Sequence, residues 1–139
     1  MFETLTAYLS GLQSEGPSYY RAIPELTQAI GQFAKDHNEE MGLYHYQEIL
    51  EAAGIRWEFD SMADADVSSL DGKTVAALLL GAVRAERFSD GAFLTFIESG
   101  CVVKWLLRLR ELDRAEMHRR HYRVFVSEAG EFTDSSKYS

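Results

Sequence analysis

Phe2, Leu5, Leu9 and Leu12 recur at three- and four-residue intervals, a spacing that predicts a first amphipathic helix over residues 2–12. SEGPS then interrupts the pattern. Pro24 suits the first position of a second helix, because its missing N–H would be unpaired there in any case. Leu26, Ala29, Ile30 and Phe33 form one apolar stripe on that helix. HNEEMG (37–42) ends it, and Leu43, Tyr46, Leu50 and Ala53 mark a third helix closed by Gly54. IRWEF (55–59) alternates apolar and charged residues, as a short half-buried strand does.

After the acidic stretch DSMADADVSS, read as a loop, Ser68 and Asp71 make an S-x-x-D capping signature. The helix it announces, residues 70–88, is apolar nearly all round as far as Val83, so it is expected at the centre of the fold. Asp90-Gly91 reads as a turn with Phe88 anchoring the preceding helix end in the core. A short helix, AFLTFIES, then ends at Gly100. CVVKWLLRLRELD (101–113) follows as a helix that turns Val102, Trp105, Leu106, Leu109 and Leu112 inward and Lys104, Arg108 and Glu111 outward. HYRVFVSEAGEFT reads as a strand, a turn and the start of a returning strand. The prediction is a mainly α (α+β) domain, about six helices over residues 1–126 with a small β hairpin near the C-terminus. Residues 127–139 are expected to form a polar, frayed tail.

Composition supports a packed core: 46% of the 139 residues are hydrophobic. Cys101 is the one cysteine, which excludes an internal disulfide framework and suits a reducing cytoplasm. The N-terminal residues carry Glu3 and no basic run, unlike a signal peptide. The longest apolar run, TVAALLLGAV, is half of the roughly 20 residues a membrane span needs. A cytoplasmic protein without membrane association is therefore expected.

Charge changes the picture further. Residues 1–70 hold twelve acids and three bases, whereas residues 104–123 hold seven bases and three acids, within a net charge of −8. Such segregation suggests an electrostatic partner for one region, unless the two halves face each other or only maintain solubility.

Most catalytic and metal chemistries find little support. DGKT (71–74) ends like a phosphate-binding loop, but Val67 stands where that loop needs its first glycine and no apolar strand precedes it. HYQE (45–48) and HRRH (118–121) each place two metal-ligand types one helical turn apart, with no third at a defined spacing. No metal or cofactor is expected. Cys101 follows a glycine at a helix N-terminus, where a thiol's pKa falls, yet no histidine is placed to serve it. It reads as a small core residue.

Three surfaces remain as candidates. Arg84 and Arg87, at i and i+3, share a helix face and can grip a carboxylate or phosphate, although an Arg87–Asp90 pair that ties the turn is the simpler expectation. Glu39, Glu40, Glu48, Glu51, Asp64 and Asp66 offer a carboxylate surface to a basic protein partner. Lys104, Arg108, Arg110, Arg114, Arg119, Arg120 and Arg123 would face phosphates if residues 92–126 formed a winged helix-turn-helix. Bulky Phe96 in the turn and the lack of outward Asn, Gln and Ser weigh against that last reading.

LDGKTVAALLLGAVRAERFSDG followed by FIESGCVVKWLLRLREL resembles an uncharacterised bacterial family, one of the domains of unknown function. Its members share an apolar helix ending in R-x-x-R-F-x-x-G and then a G-x-hhx-x-L-x-R-L segment, where h is hydrophobic. Arg84, Arg87, Phe88, Asp90, Gly91, Gly100, Leu106, Arg108 and Leu109 carry the resemblance, over residues 43–113. Cysteine is common in that family where Ser89 stands here. The resemblance implies a shared fold and names no reaction. The reading is thus a non-enzymatic, acidic regulator of bacterial or phage origin, acting through a protein partner and in one version inhibiting a nucleic-acid-binding protein. Direct nucleic-acid binding, a small-molecule enzyme using Arg84 and Arg87, and homo-oligomerisation stand as alternatives.

Overall fold

A computed structural model of the protein describes the backbone of residues 1–130 and the side chains of residues 1–120. Every regular element among them is helical. In chain order these are α1 (Glu3–Thr6), α2 (Leu9–Leu12), α3 (Pro17–Asp36), α4 (Asn38–Met41), α5 (Tyr46–Ala52), α6 (Phe59–Asp64), α7 (Gly72–Ala85), α8 (Ala92–Glu98) and α9 (Cys101–Gly130). Short 3₁₀ turns at Leu43–His45 and Val67–Ser69 precede α5 and α7.

Helix α7 is the axle. Thr74 through Ala82 are all buried, so no face of that stretch meets water. A helix apolar on every side requires neighbours on every side, and α3, α5, α8 and α9 supply them. Asp71 is its N-cap, its carboxylate accepting the Thr74 N–H at 2.9 Å. The helix therefore starts at Gly72 and Ser68 belongs instead to the 3₁₀ turn, where Asp66 caps it through the Ser68 N–H at 3.1 Å.

Against α7 pack Leu26, Ile30 and Phe33 from α3, Leu50 from α5, Phe93 and Ile97 from α8, and Val102, Trp105, Leu106 and Leu109 from α9, all within one core. Cys101 is buried in it too. The N-terminus is drawn in by Asp113 on α9, whose two carboxylate oxygens accept the Met1 ammonium at 3.0 Å and the Phe2 N–H at 2.8 Å. Phe2 is thereby held against Phe33, with ring centroids 5.5 Å apart.

Several expectations need correction, the α+β class among them, because every regular element among the described residues is helical. The helix expected over 2–12 is the two short helices α1 and α2, and residues 60–64 of the stretch DSMADADVSS, read as a loop, belong to α6. The predicted strand at 55–59 is an irregular segment entering α6. Its Ile55-in, Arg56-out alternation is present, but the Arg56 N–H goes to Ser61 Oγ at 2.8 Å and the Arg56 carbonyl accepts from Glu58 N at 2.8 Å. Backbone groups spent on a local turn cannot form a ladder. The first strand of the expected hairpin, in HYRVFV, is helix. No Gly or Pro occurs between Cys101 and Ala129, and α9 runs unbroken to Gly130, past the expected tail boundary at 127. Extending a formed helix fixes one residue per hydrogen bond gained, whereas a new strand needs a partner. The returning strand, in EFT, lies outside the described residues.

The second helix begins at Pro17, so Pro24 sits inside it instead of at its start. Lastly, Phe88 does not anchor α7 in the core; it is 77% exposed.

Candidate functional site

Outward-facing Phe88 leads to the most distinctive surface of the molecule. An open cleft of about 340 Å³ lies where residues 57–62, the end of α7 with its following turn, and α8 converge. Trp57 forms its rear wall. The indole Nε1–H donates to the Gly81 carbonyl at 2.9 Å. A Cβ at Gly81 would sit in van der Waals contact with Trp57 Cδ1 and Met62 Cε, each at 3.4 Å.

Tyr46 meets Trp57 edge-on from behind, and Phe88 meets it edge-on in front, at ring-centroid separations of 5.6 Å in both cases. Phe59 lies against Phe96 at 4.9 Å, and Phe96 in turn against the fully buried Trp105 at 5.5 Å. The polar residues in the lining are Glu58, Ser89 and Thr95; among the described residues no lysine, arginine or histidine lines it.

The turn that presents Phe88 is held by a residue that sequence reasoning passed over. Glu86 accepts the Gly91 N–H at 2.7 Å and the Phe93 N–H at 3.0 Å. Gly91 is the N-cap of α8 and has no side chain to cap with; at φ 84° it occupies the left-handed region that glycine alone enters without strain. Glu86 thus caps α8 from the previous turn. The Gly91 and Phe93 N–H bonds hold its carboxyl below the usual carboxylate range.

Arg84 is half-buried and Arg87 exposed. Neither lines the cleft. Among the described residues neither makes an ion pair, and the expected Arg87–Asp90 tie is not formed; the Glu86 bonds hold that turn instead.

The six candidate acids lie on three stretches. Glu39 and Glu40 are exposed on α4, where Glu40 pairs with His37 at 2.7 Å. Glu48 and Glu51 are exposed on α5. Asp64 and Asp66 line a polar depression of about 430 Å³ together with Asp60 and Arg56. Hydrogen bonds from the Ser68 hydroxyl and N–H lower the Asp66 pKa. No group of three His, Cys, Asp or Glu side chains among the described residues is placed to hold a metal ion.

Two of the basic candidates are engaged internally. Lys104 Nζ donates to the Ala63 carbonyl at 2.9 Å, near the C-terminus of α6, where a cation suits the helix dipole. Arg108 donates from Nε and Nη2 to the Leu70 carbonyl at 3.2 and 3.0 Å, and from Nη1 to Glu111 at 2.8 Å. Arg110 is half-buried and Arg114 exposed. Arg119 and Arg120 both pair with Glu116, and Arg123 lies beyond the described side chains. The wing expected near residue 121 is occupied by helix α9.

A model of a family of unknown function, DUF6508, matches residues 13–115. The chain belongs to that family. The matched span includes α3 through α8 and the aromatic cleft in full. No curated protein and no solved structure matches the chain. No described helix is long and apolar enough to cross a membrane.

Proposed function

We propose that this member of DUF6508 is a non-enzymatic binding protein that recognises a basic segment of a protein partner through the aromatic cleft and the acidic surface beside it. The observation that carries this reading is the 77% exposure of Phe88 at the lip of a cleft lined by Trp57, Phe59 and Phe96. An aromatic ring that touches its own chain chiefly at the edge of Trp57 and is otherwise in water gains little for the fold. Aromatic side chains clustered around an apolar depression are what partner binding uses.

Charge supports the choice of partner. Residues 43–70, which supply α5, α6 and the rear of the cleft, hold six acids and the single base Arg56, a balance of −5. That base is already paired, with Arg56 Nε 3.2 Å from Glu58. A basic segment of a nucleic-acid-binding protein, bound so as to block its nucleic acid, is the most specific form of the proposal.

The competing surfaces are less favoured. Lys104 and Arg108 are committed to carbonyls of this chain, which weakens a phosphate-binding role for α9. Arg84 and Arg87 stand outside the cleft, so an enzyme built on them lacks a substrate pocket between them and the aromatic rings.

The test places a photo-reactive phenylalanine analogue at position 88 and cross-links in a native lysate. The adduct is identified and its partner purified. That purified protein is expected to bind the unmodified chain and to lose at least tenfold in affinity for F88A. Unchanged affinity for F88A would refute the cleft as the docking site.

A further inference from the structure

We propose, resting on the reading above, that the group received in the cleft is the guanidinium of an arginine. The walls are ring surfaces set at angles to one another. Trp57 and Phe88 stand at 85°, and Phe59 and Phe96 at 42°. Ring faces carry negative charge density and attract a cation held over them, and guanidinium does this most often because it is planar and weakly hydrated.

The polar groups agree with the rings, because each offers at least one oxygen that can accept. Glu58 holds Arg56 through Oε1, and its other oxygen has no partner among the described residues. The Thr95 hydroxyl already spends its proton on the Gly91 carbonyl at 3.0 Å, leaving its lone pairs free. Ser89 adds a third oxygen. An aliphatic anchor would face Glu58 with nothing to offer it, and an anion would be repelled by Glu58 and by the ring faces. A guanidinium satisfies both sets of groups: its faces lie on the rings and its five N–H donors meet the carboxylate and hydroxyl oxygens at the rim.

Arginine is preferred to lysine on physical grounds. The described lining offers three polar residues among ten, so the incoming cation exchanges part of its water for ring surface. A compact ammonium is strongly hydrated and loses more by that exchange than a delocalised guanidinium does.

The experiment is an NMR titration of the full chain with N-acetyl-arginine amide, N-acetyl-citrulline amide and N-acetyl-norleucine amide. Citrulline keeps the size and planarity of arginine and removes its charge, while norleucine is a purely apolar anchor. The arginine compound is expected to shift the amides of Phe88, Ser89 and Thr95 and to bind at least about fivefold more tightly than citrulline. F88A and E58Q should each reduce that preference. Phe88 and Glu58 are exposed, so both variants are expected to fold, which circular dichroism verifies.

Equal binding of arginine and citrulline overturns the inference. So does tighter binding of norleucine, an outcome that leaves the cleft standing as an apolar docking site. If no compound shifts the cleft, the inference falls, and the F88A affinity for the cross-linked partner then decides separately whether the proposed function falls with it.

Discussion

Glu86→Ala removes one carboxylate and with it both hydrogen bonds that close the turn between α7 and α8. The Gly91 and Phe93 amides, 2.7 and 3.0 Å from the carboxylate, are donors at the start of a helix whose own N-cap residue is glycine. Bonds to charged acceptors are worth about 1.5–3 kcal/mol each when shielded. Glu86 is exposed, so water replaces much of that on its removal. Loss of a helix cap, about 1–2 kcal/mol, is the better guide. With an unfolding entropy of about 2.1 cal/mol/K per residue, this lowers the Tm by roughly 3–7 °C.

The pH dependence separates this account from a general loss of packing. Gly91 and Phe93 lower the Glu86 pKa from its ordinary value of 4.5. A carboxylate whose pKa is depressed on folding contributes stability that is fully present above its unfolded value and is lost as the pH falls through its folded value. The gap between wild type and E86A in thermal melts should therefore be full at pH 7 and shrink as the pH falls below 4.5. A gap under about 1 °C at pH 7, or one equally wide at pH 3, would refute the capping role.

Pro24→Ala should stabilise the protein by about 1–3 kcal/mol in urea unfolding, because it restores an N–H to the interior of α3, where a proline ring crowds the preceding turn. Gly72→Ala should do the opposite. A Cβ there would stand 2.5 Å from Phe2 Cζ, and Phe2 is buried and tied to Asp113, so overpacking of about 1–3 kcal/mol is expected in the same assay. Arg108→Met leaves the Leu70 carbonyl without the two donors it now has, at 3.2 and 3.0 Å, and should destabilise by about 1–3 kcal/mol. If R108M matched wild type in urea midpoint, the guanidinium would be a surface group available to an outside ligand.

The helical scaffold was largely legible because its signals are local. The continuous apolar run after Asp71 announced α7, and its centre is buried on all sides. Inward Val102, Trp105, Leu106 and Leu109 followed from the spacing of α9, the turn at Gly91 from the Asp-Gly pair, and the burial of Cys101 from a lone thiol with no base placed to serve it. The misread elements were those in which two local signals compete. Both Pro17 and Pro24 can start a helix, and nothing within the stretch between them shows that the first one does. Val124, Phe125 and Val126 favour a strand, but that preference is weak beside the extension of a helix already formed and the lack of a pairing partner in the described residues.

The candidate site was illegible for a different reason. Trp57, Phe59, Phe88 and Phe96 are spread over forty residues, and each alone reads as core. Only the packing of α6, α7 and α8 brings them to one cleft and leaves Phe88 outside. The same holds for charge. Composition determined that the first half is acidic and the region 104–123 basic, but which charges remain available depends on what lies across from them. Lys104 and Arg108 meet backbone carbonyls some forty residues away, and Glu86 meets amides across a turn. Periodicity is a property of neighbouring residues and survives in the sequence, so helices and their buried faces follow from it. Exposure and pairing are properties of surfaces meeting in space, and these the tertiary structure alone decides.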